Sequence, residues 1–144
     1  MSRGYAAIGL YMPKIEPNVG GALRAANCYG AALVVVQGRR FRKLSTDTQK
    51  AWRHIPLLEV DNLRDSIPFD CQPVCVEITP TARCLTTFTH PQRAFYIFGP
   101  EDGSIPTELT DRYMTIKVPT DFCMNLAATV NVVLYDRRLK EMHK

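Results

Sequence analysis

YAAIGLYMPKIEPNVGGALRAANCYGAALVVVQ, residues 5–37, is the stretch that decides the fold. YAAIGLY (5–11) is apolar nearly throughout and reads as a buried strand. PKIEP follows as a loop. Asn18 then stands where an N-cap is expected, its side-chain oxygen placed to accept a backbone N–H of the first turn. VGGALRAANCY is Ala-rich and helical in tendency, and Gly30 lies where a C′ glycine stops a helix. ALVVVQ (32–37) is a second strand, apolar and rich in valine. A strand, helix and strand within about 30 residues is the size of a right-handed βαβ crossover.

The alternation continues along the chain. A helix is expected in TDTQKAWRHI after Ser45, a short strand at LLEV (57–60) and a weak helix at NLRDSI. Strands are expected at PVCVEI (73–78), RAFYIF (93–98) and MTIKV (114–118), with a helical turn or two at PTELTDRY. CMNLAATVNVVLYDRRLKEMHK forms one long final helix. Continuous apolar strands alternating with helices predict an α/β fold, a parallel sheet flanked by helices on both faces. From Leu126 to Leu134 the final helix is apolar almost all round, broken by Thr129 and Asn131. Such a helix is either buried deep in the domain or meets a second subunit, and a homodimer is expected.

The 144 residues suffice for a single domain, 1–144, with a real core. No repeat or low-complexity tract divides them. The N-terminus lacks the apolar core and cleavage site of a signal peptide, and no apolar run reaches the ~18 residues of a membrane span. Five cysteines, an odd number in no zinc-binding spacing, suit free thiols in a reducing cytoplasm, with no metal. The net charge of +4 comes largely from GRRFRK (38–43) and DRRLKEMHK at the C-terminus. Either is a solvated face or a footprint for a polyanion.

In a parallel α/β protein, ligands bind beyond the C-terminal ends of the strands, where loops and helix N-termini converge. Three segments fall there: PNVGGALR, FGPEDG and VPTDFCMN. Individually each has a structural explanation. Glycines allow close packing, Glu101 and Asp102 shape a turn, and Asn125 caps a helix. The dinucleotide fingerprint, the P-loop lysine, G-x-S-x-G and H-E-x-x-H are all missing, which argues against nucleotide-dependent oxidoreductases and common hydrolases.

Taken together and in order, the three segments resemble the motifs of the SPOUT superfamily, specifically its SpoU-type RNA ribose 2′-O-methyltransferases. The matching stretches are NVGGALRAANCYGA, FGPEDGS and VPTDFCMNLAATVNVVLYD, and the resemblance runs from about Ala7 to Arg137. It implies a C-terminal deep trefoil knot and S-adenosylmethionine as methyl donor. The donor would be held by Phe98, Gly99 and Gly103 and by Val118, Pro119, Cys123 and Met124. Arg24 corresponds to the family's catalytic arginine; Asn18 and Asn125 would orient it or the substrate, and Glu101 would fix Arg24 or close the FGPEDG turn. The resemblance further implies RNA, with tRNA the expected class, bound by Arg39, Arg40, Arg42, Lys43, Arg137 and Arg138. It implies a homodimer through the N-terminal and C-terminal helices, and a minimal form without an added RNA-binding domain. Two departures stand out: Cys123 replaces the family's serine, and the segment from Val118 to Cys123 is about three residues short. These keep a second expectation in view, an RNA- or cofactor-binding module of the same fold with little catalysis.

Overall fold

Seven strands form one wholly parallel sheet: β1 (Tyr5–Tyr11), β2 (Leu33–Gln37), β3 (Leu57–Val60), β4 (Gln72–Val76), β5 (Arg83–Cys84), β6 (Arg93–Phe98) and β7 (Met114–Lys117). Their spatial order is β3-β2-β1-β6-β4-β7-β5. Among the described residues the α-helices are α1 (Glu16–Tyr29), α2 (Thr107–Thr110) and α3 (Leu126–Met142). The structure, a computed structural model, describes residues 4–42 and 54–144. The helix expected after Ser45 lies almost wholly outside the described residues; His54, near its end, is in a turn.

The central strands are buried on both faces, which explains their unbroken apolar sequences. Alternation along each strand sends Ile8 and Leu10, Val34 and Val36, Tyr96 and Phe98 to one side. There they meet Val19, Leu23 and Ala26 of α1 and Leu126, Val130, Val133 and Leu134 of α3. Ala7, Val35, Cys75, Phe95 and Ile97 face the other way, toward Leu63, Ile105 and Leu109. The two long helices thus share one face. Among the described residues, short turns and the single turn of α2 lie on the other.

Several boundaries differ from expectation for local reasons. α1 begins at Glu16 rather than after Asn18, because Pro17 is well placed in a first turn. Asn18 is therefore no cap; its side chain is 5% exposed and turned to other work. Gly30 does end α1, in the left-handed conformation at φ 75°. α3 starts at Leu126, three residues later than expected, with Asn125 as its N-cap accepting from the Ala128 N–H at 3.2 Å. NLRDSI contracts to a 3-10 turn at Leu63–Ser66. The two-residue β5 was not expected; Arg83 and Cys84 carry no strand pattern, and only β7 beside them makes a strand there.

α1 and α3 cross closely at Gly21. A Cβ built there would stand 2.6 Å from the Ala127 Cβ, so no side chain fits without moving a helix. Gly21→Ala is expected to destabilise the fold by roughly 1 kcal/mol in urea unfolding, the overpacking cost exceeding the helix-propensity gain. A more stable variant would mean that the helices can separate freely.

Candidate active site

The sheet order collects three motif-bearing strand ends at one edge. β1 and β4 flank β6, and β7 lies beyond β4. The residues after β1, β6 and β7 meet there through a chain of side-chain hydrogen bonds. Glu101 Oε2 accepts from Asn18 Nδ2 at 2.9 Å and from the Ile15 N–H at 2.9 Å, while Oε1 accepts from the Lys14 N–H at 2.9 Å. Asn18 Oδ1 in turn accepts from Asn125 Nδ2 at 2.8 Å. Asn125 passes the linkage to the first turn of α3.

Burial works to raise the Glu101 carboxyl. The hydrogen bonds from Asn18 and from the Lys14 and Ile15 N–H groups outweigh it and hold the carboxyl below its ordinary value. Beside it, Asp102 takes both ends of the Arg40 guanidinium at 3.0 and 2.5 Å. Arg40 holds that exposed carboxyl down to about 2. Arg40 also donates Nε to the Met12 carbonyl. The FGPEDG turn is thereby tied twice to the segment after β1.

Under this turn lies a pocket of about 170 Å³ lined by Val76, Glu77, Ile78, Phe98, Gly99, Gly103, Val118, Cys123, Met124 and Leu126, among others. Six of the seven residues expected to hold the donor line it; Pro119 does not. Glu101 lines it too, but Asn18, Asn125 and Arg24 do not. Gly99 packs tightly here: a Cβ would sit 3.2 Å from the Ile105 N and 3.3 Å from Glu77 Oε2, so these neighbours would have to shift by a few tenths of an ångström. Apolar walls, glycine backbone and a carboxylate suit an adenosine-like ligand with polar groups. The volume is below the ~300–1,000 Å³ usual for small-molecule pockets.

Arg24 is exposed on α1, six residues past Asn18 and so about 9 Å further along the helix axis. The basic residues fall into different classes. Arg42 and Arg138 are exposed. Arg39 pairs with Glu59 at 2.7 Å and lies over the Phe41 ring. Lys43 lies outside the described residues. Arg40 is exposed and paired with Asp102. One expectation needs correction. Arg137 is 7% exposed and donates to the carbonyls of Pro91 and Gln92 and to the Tyr96 hydroxyl. Its charge is buried at the opposite edge of the sheet, where it ties α3 to the start of β6. Glu77 was missed; it follows an ordinary apolar strand in the sequence, and only the strand order places it in the pocket.

A model of the SpoU rRNA methylase family matches residues 6–135. The chain belongs to that family. No curated protein matches it. Among solved structures, one determined for insight into 2-OH methylation of C/U34 on tRNA is 22% identical with a TM-score of 0.81, covering 98% of this chain and 99% of its own. The TrmH/SpoU tRNA-modifying enzyme of A. aeolicus is 16% identical with a TM-score of 0.82, covering 98% of this chain and 78% of its own. An rRNA methyltransferase from Sinorhizobium meliloti with AdoMet bound is 20% identical with a TM-score of 0.81. It is matched over 96% of this chain and 57% of its own. At these identities the likeness carries the fold, and the fold is that of the SPOUT methyltransferases.

Because its folded-state pKa is depressed, Glu101 contributes stability that is fully present above the ordinary carboxylate range. That contribution is lost as pH falls through the folded value. At neutral pH, Glu101→Gln is expected to cost about 1 kcal/mol, as charge-assisted bonds become neutral ones. Chemical unfolding of both proteins across the acid range would check this: the gap between them should close on acidification. A constant gap would assign the loss to packing.

Proposed function

We propose that this chain transfers a methyl group from S-adenosylmethionine to a ribose 2′-hydroxyl of RNA, with tRNA the favoured substrate. One observation carries the reading. The pocket made by the second and third motifs is joined, through Glu101, Asn18 and Asn125, to the helix that bears Arg24. A family of RNA methylases, and neighbours described with AdoMet and with tRNA 2-OH methylation, support it.

Bound in the pocket, the donor would supply an electrophilic methyl group. The pocket's own residues hold and orient: Gly99 lets the turn pack closely against Ile105 and Glu77, and Phe98, Val118 and Leu126 give the pocket an apolar wall. Arg24 is suited to gripping a phosphate of the substrate and stabilising charge that develops on the attacking oxygen. On transfer the donor would leave as S-adenosylhomocysteine and the hydroxyl proton would pass to solvent water, because the Arg24 guanidinium is already protonated and cannot act as the base. Orientation of the hydroxyl supplies much of the rate. Arg42 and Arg138 add salt-sensitive attraction for the RNA backbone.

The knot belongs to this reading. It is supported by β7, which inserts between β4 and β5 although both precede it in the chain. So does the homodimer. Val132, Tyr135, Leu139 and Met142 form an exposed apolar stripe on α3. Tyr135 meets Tyr29 edge to face at 6.3 Å, extending the stripe to α1. A second copy covering that stripe removes it from water. Five free cysteines are consistent with a cytoplasmic setting.

Methyl transfer to tRNA transcripts, with mapping of the modified ribose, tests the reaction. Arg24→Ala is expected to lower activity by at least a hundredfold while S-adenosylmethionine affinity stays within a factor of two to three. Equal loss of both would remove Arg24 from the substrate side. Donor binding with no transfer to any RNA would favour the binding-module reading instead. Sedimentation of Tyr135→Arg is expected to give monomer where the parent protein gives dimer; unchanged mass would place the interface elsewhere.

A further inference from the structure

β4 ends between the two strands that carry the donor-pocket loops, β6 on one side and β7 on the other. The residue at that end is Glu77. Its backbone N–H donates to the Ile116 carbonyl of β7 at 3.0 Å, and its Oε2 accepts from the Ile105 N–H at 2.8 Å. The first bond fixes the backbone of Glu77 and the second holds its carboxylate through Oε2. Among the described residues, Oε1 accepts one long hydrogen bond, 3.3 Å, from the N–H of the next residue, Ile78. The charged side chains lining the pocket are Glu77, Glu101 and Lys117. Glu101 already accepts through both oxygens from Lys14, Ile15 and Asn18. Glu77 therefore brings to the pocket lining a carboxylate held through Oε2, with Oε1 in one long hydrogen bond among the described residues. A carboxylate only accepts hydrogen bonds, so its ligand partner is an O–H or N–H donor.

Resting on the donor assignment above, we propose that Glu77 is a donor-binding residue, its carboxylate accepting hydrogen bonds from the hydroxyl or ammonium groups of the bound methyl donor. Anchoring by Ile105 pre-orients the group, so little side-chain freedom is lost on binding. The position also couples donor binding to the FGPEDGSIP turn, since the same carboxylate holds Ile105 at its end.

The test is calorimetric titration of the full chain and of Glu77→Gln with S-adenosylmethionine, S-adenosylhomocysteine and 5′-methylthioadenosine. The amide oxygen of Gln can still accept from Ile105, and unchanged melting of the variant would show that the turn is intact. Glu77→Gln is expected to bind S-adenosylhomocysteine about tenfold more weakly, a charge-assisted bond having become a neutral one. An equal loss for methylthioadenosine, which keeps the ribose hydroxyls and lacks the amino group, places Glu77 on the ribose. Methylthioadenosine affinity that is unchanged places it on the ammonium group. If the variant binds S-adenosylhomocysteine as tightly as the parent, the assignment of Glu77 is wrong while the donor reading stands. A folded parent protein that binds neither S-adenosylmethionine nor S-adenosylhomocysteine overturns the donor reading and this assignment together.

Discussion

The Glu101 carboxylate is the constraint on which the site depends. It receives the Lys14 and Ile15 N–H groups at the entry to α1 and the Asn18 amide from inside it. The first N–H groups of a helix lack intrahelical partners, and Ile15, at the cap position, has no side chain to offer them. A carboxylate from another strand end supplies negative charge at the positive end of the helix dipole. Satisfying the helix start and joining two distant parts of the chain are thus one interaction. The separation along the sequence, 87 residues for the Lys14 contact, makes it a tertiary cap.

From there the polar chain runs on to Asn125, which reads both ways: its amide donates to Asn18 and its oxygen caps α3. The side chains of both asparagines are therefore committed to holding two helix starts in register with the pocket. That bears on how their substitution would act. Loss of either would disturb the relative placement of α1, α3 and the FGPEDG turn before it touched any chemistry. Arg24, further along α1, inherits its position from this arrangement. At the other edge of the sheet Arg137 does a comparable structural job, its guanidinium distributed among carbonyls before β6. Its neighbour His90 is pushed down by burial despite the Asp136 carboxylate at 2.7 Å, and belongs to the same buried polar cluster.

Much of the architecture was legible in advance because strand burial leaves a direct mark. Residues covered on both faces must be apolar at every position, and RAFYIF, LVVVQ and YAAIGLY carry that mark plainly. Gly30 was legible for a similar reason: a left-handed residue after an Ala-rich helix is best supplied by glycine. The start of α1 was misjudged because Asn18 has the chemistry of a cap and uses it elsewhere. β5 was not legible, since two residues make no pattern until a neighbouring strand pairs with them. Arg137 looked like part of a basic tail because charge along a sequence does not say which side of a helix it occupies.

The amino-acid sequence by itself determined six of the seven strands, the two long helices, the parallel sheet and the three segments at its functional edge, because each rests on local periodicity, turn chemistry or a short motif. Tertiary structure alone decided which polar groups in those segments face one another. Glu101 became a helix cap, Arg40 a partner of Asp102, and Arg137 a buried brace. Glu77 reached the pocket because β4 lies between β6 and β7, an order that no stretch of sequence contains. A hydrogen bond needs two partners at about 3 Å, and where those partners lie far apart in the chain only the folded packing brings them there.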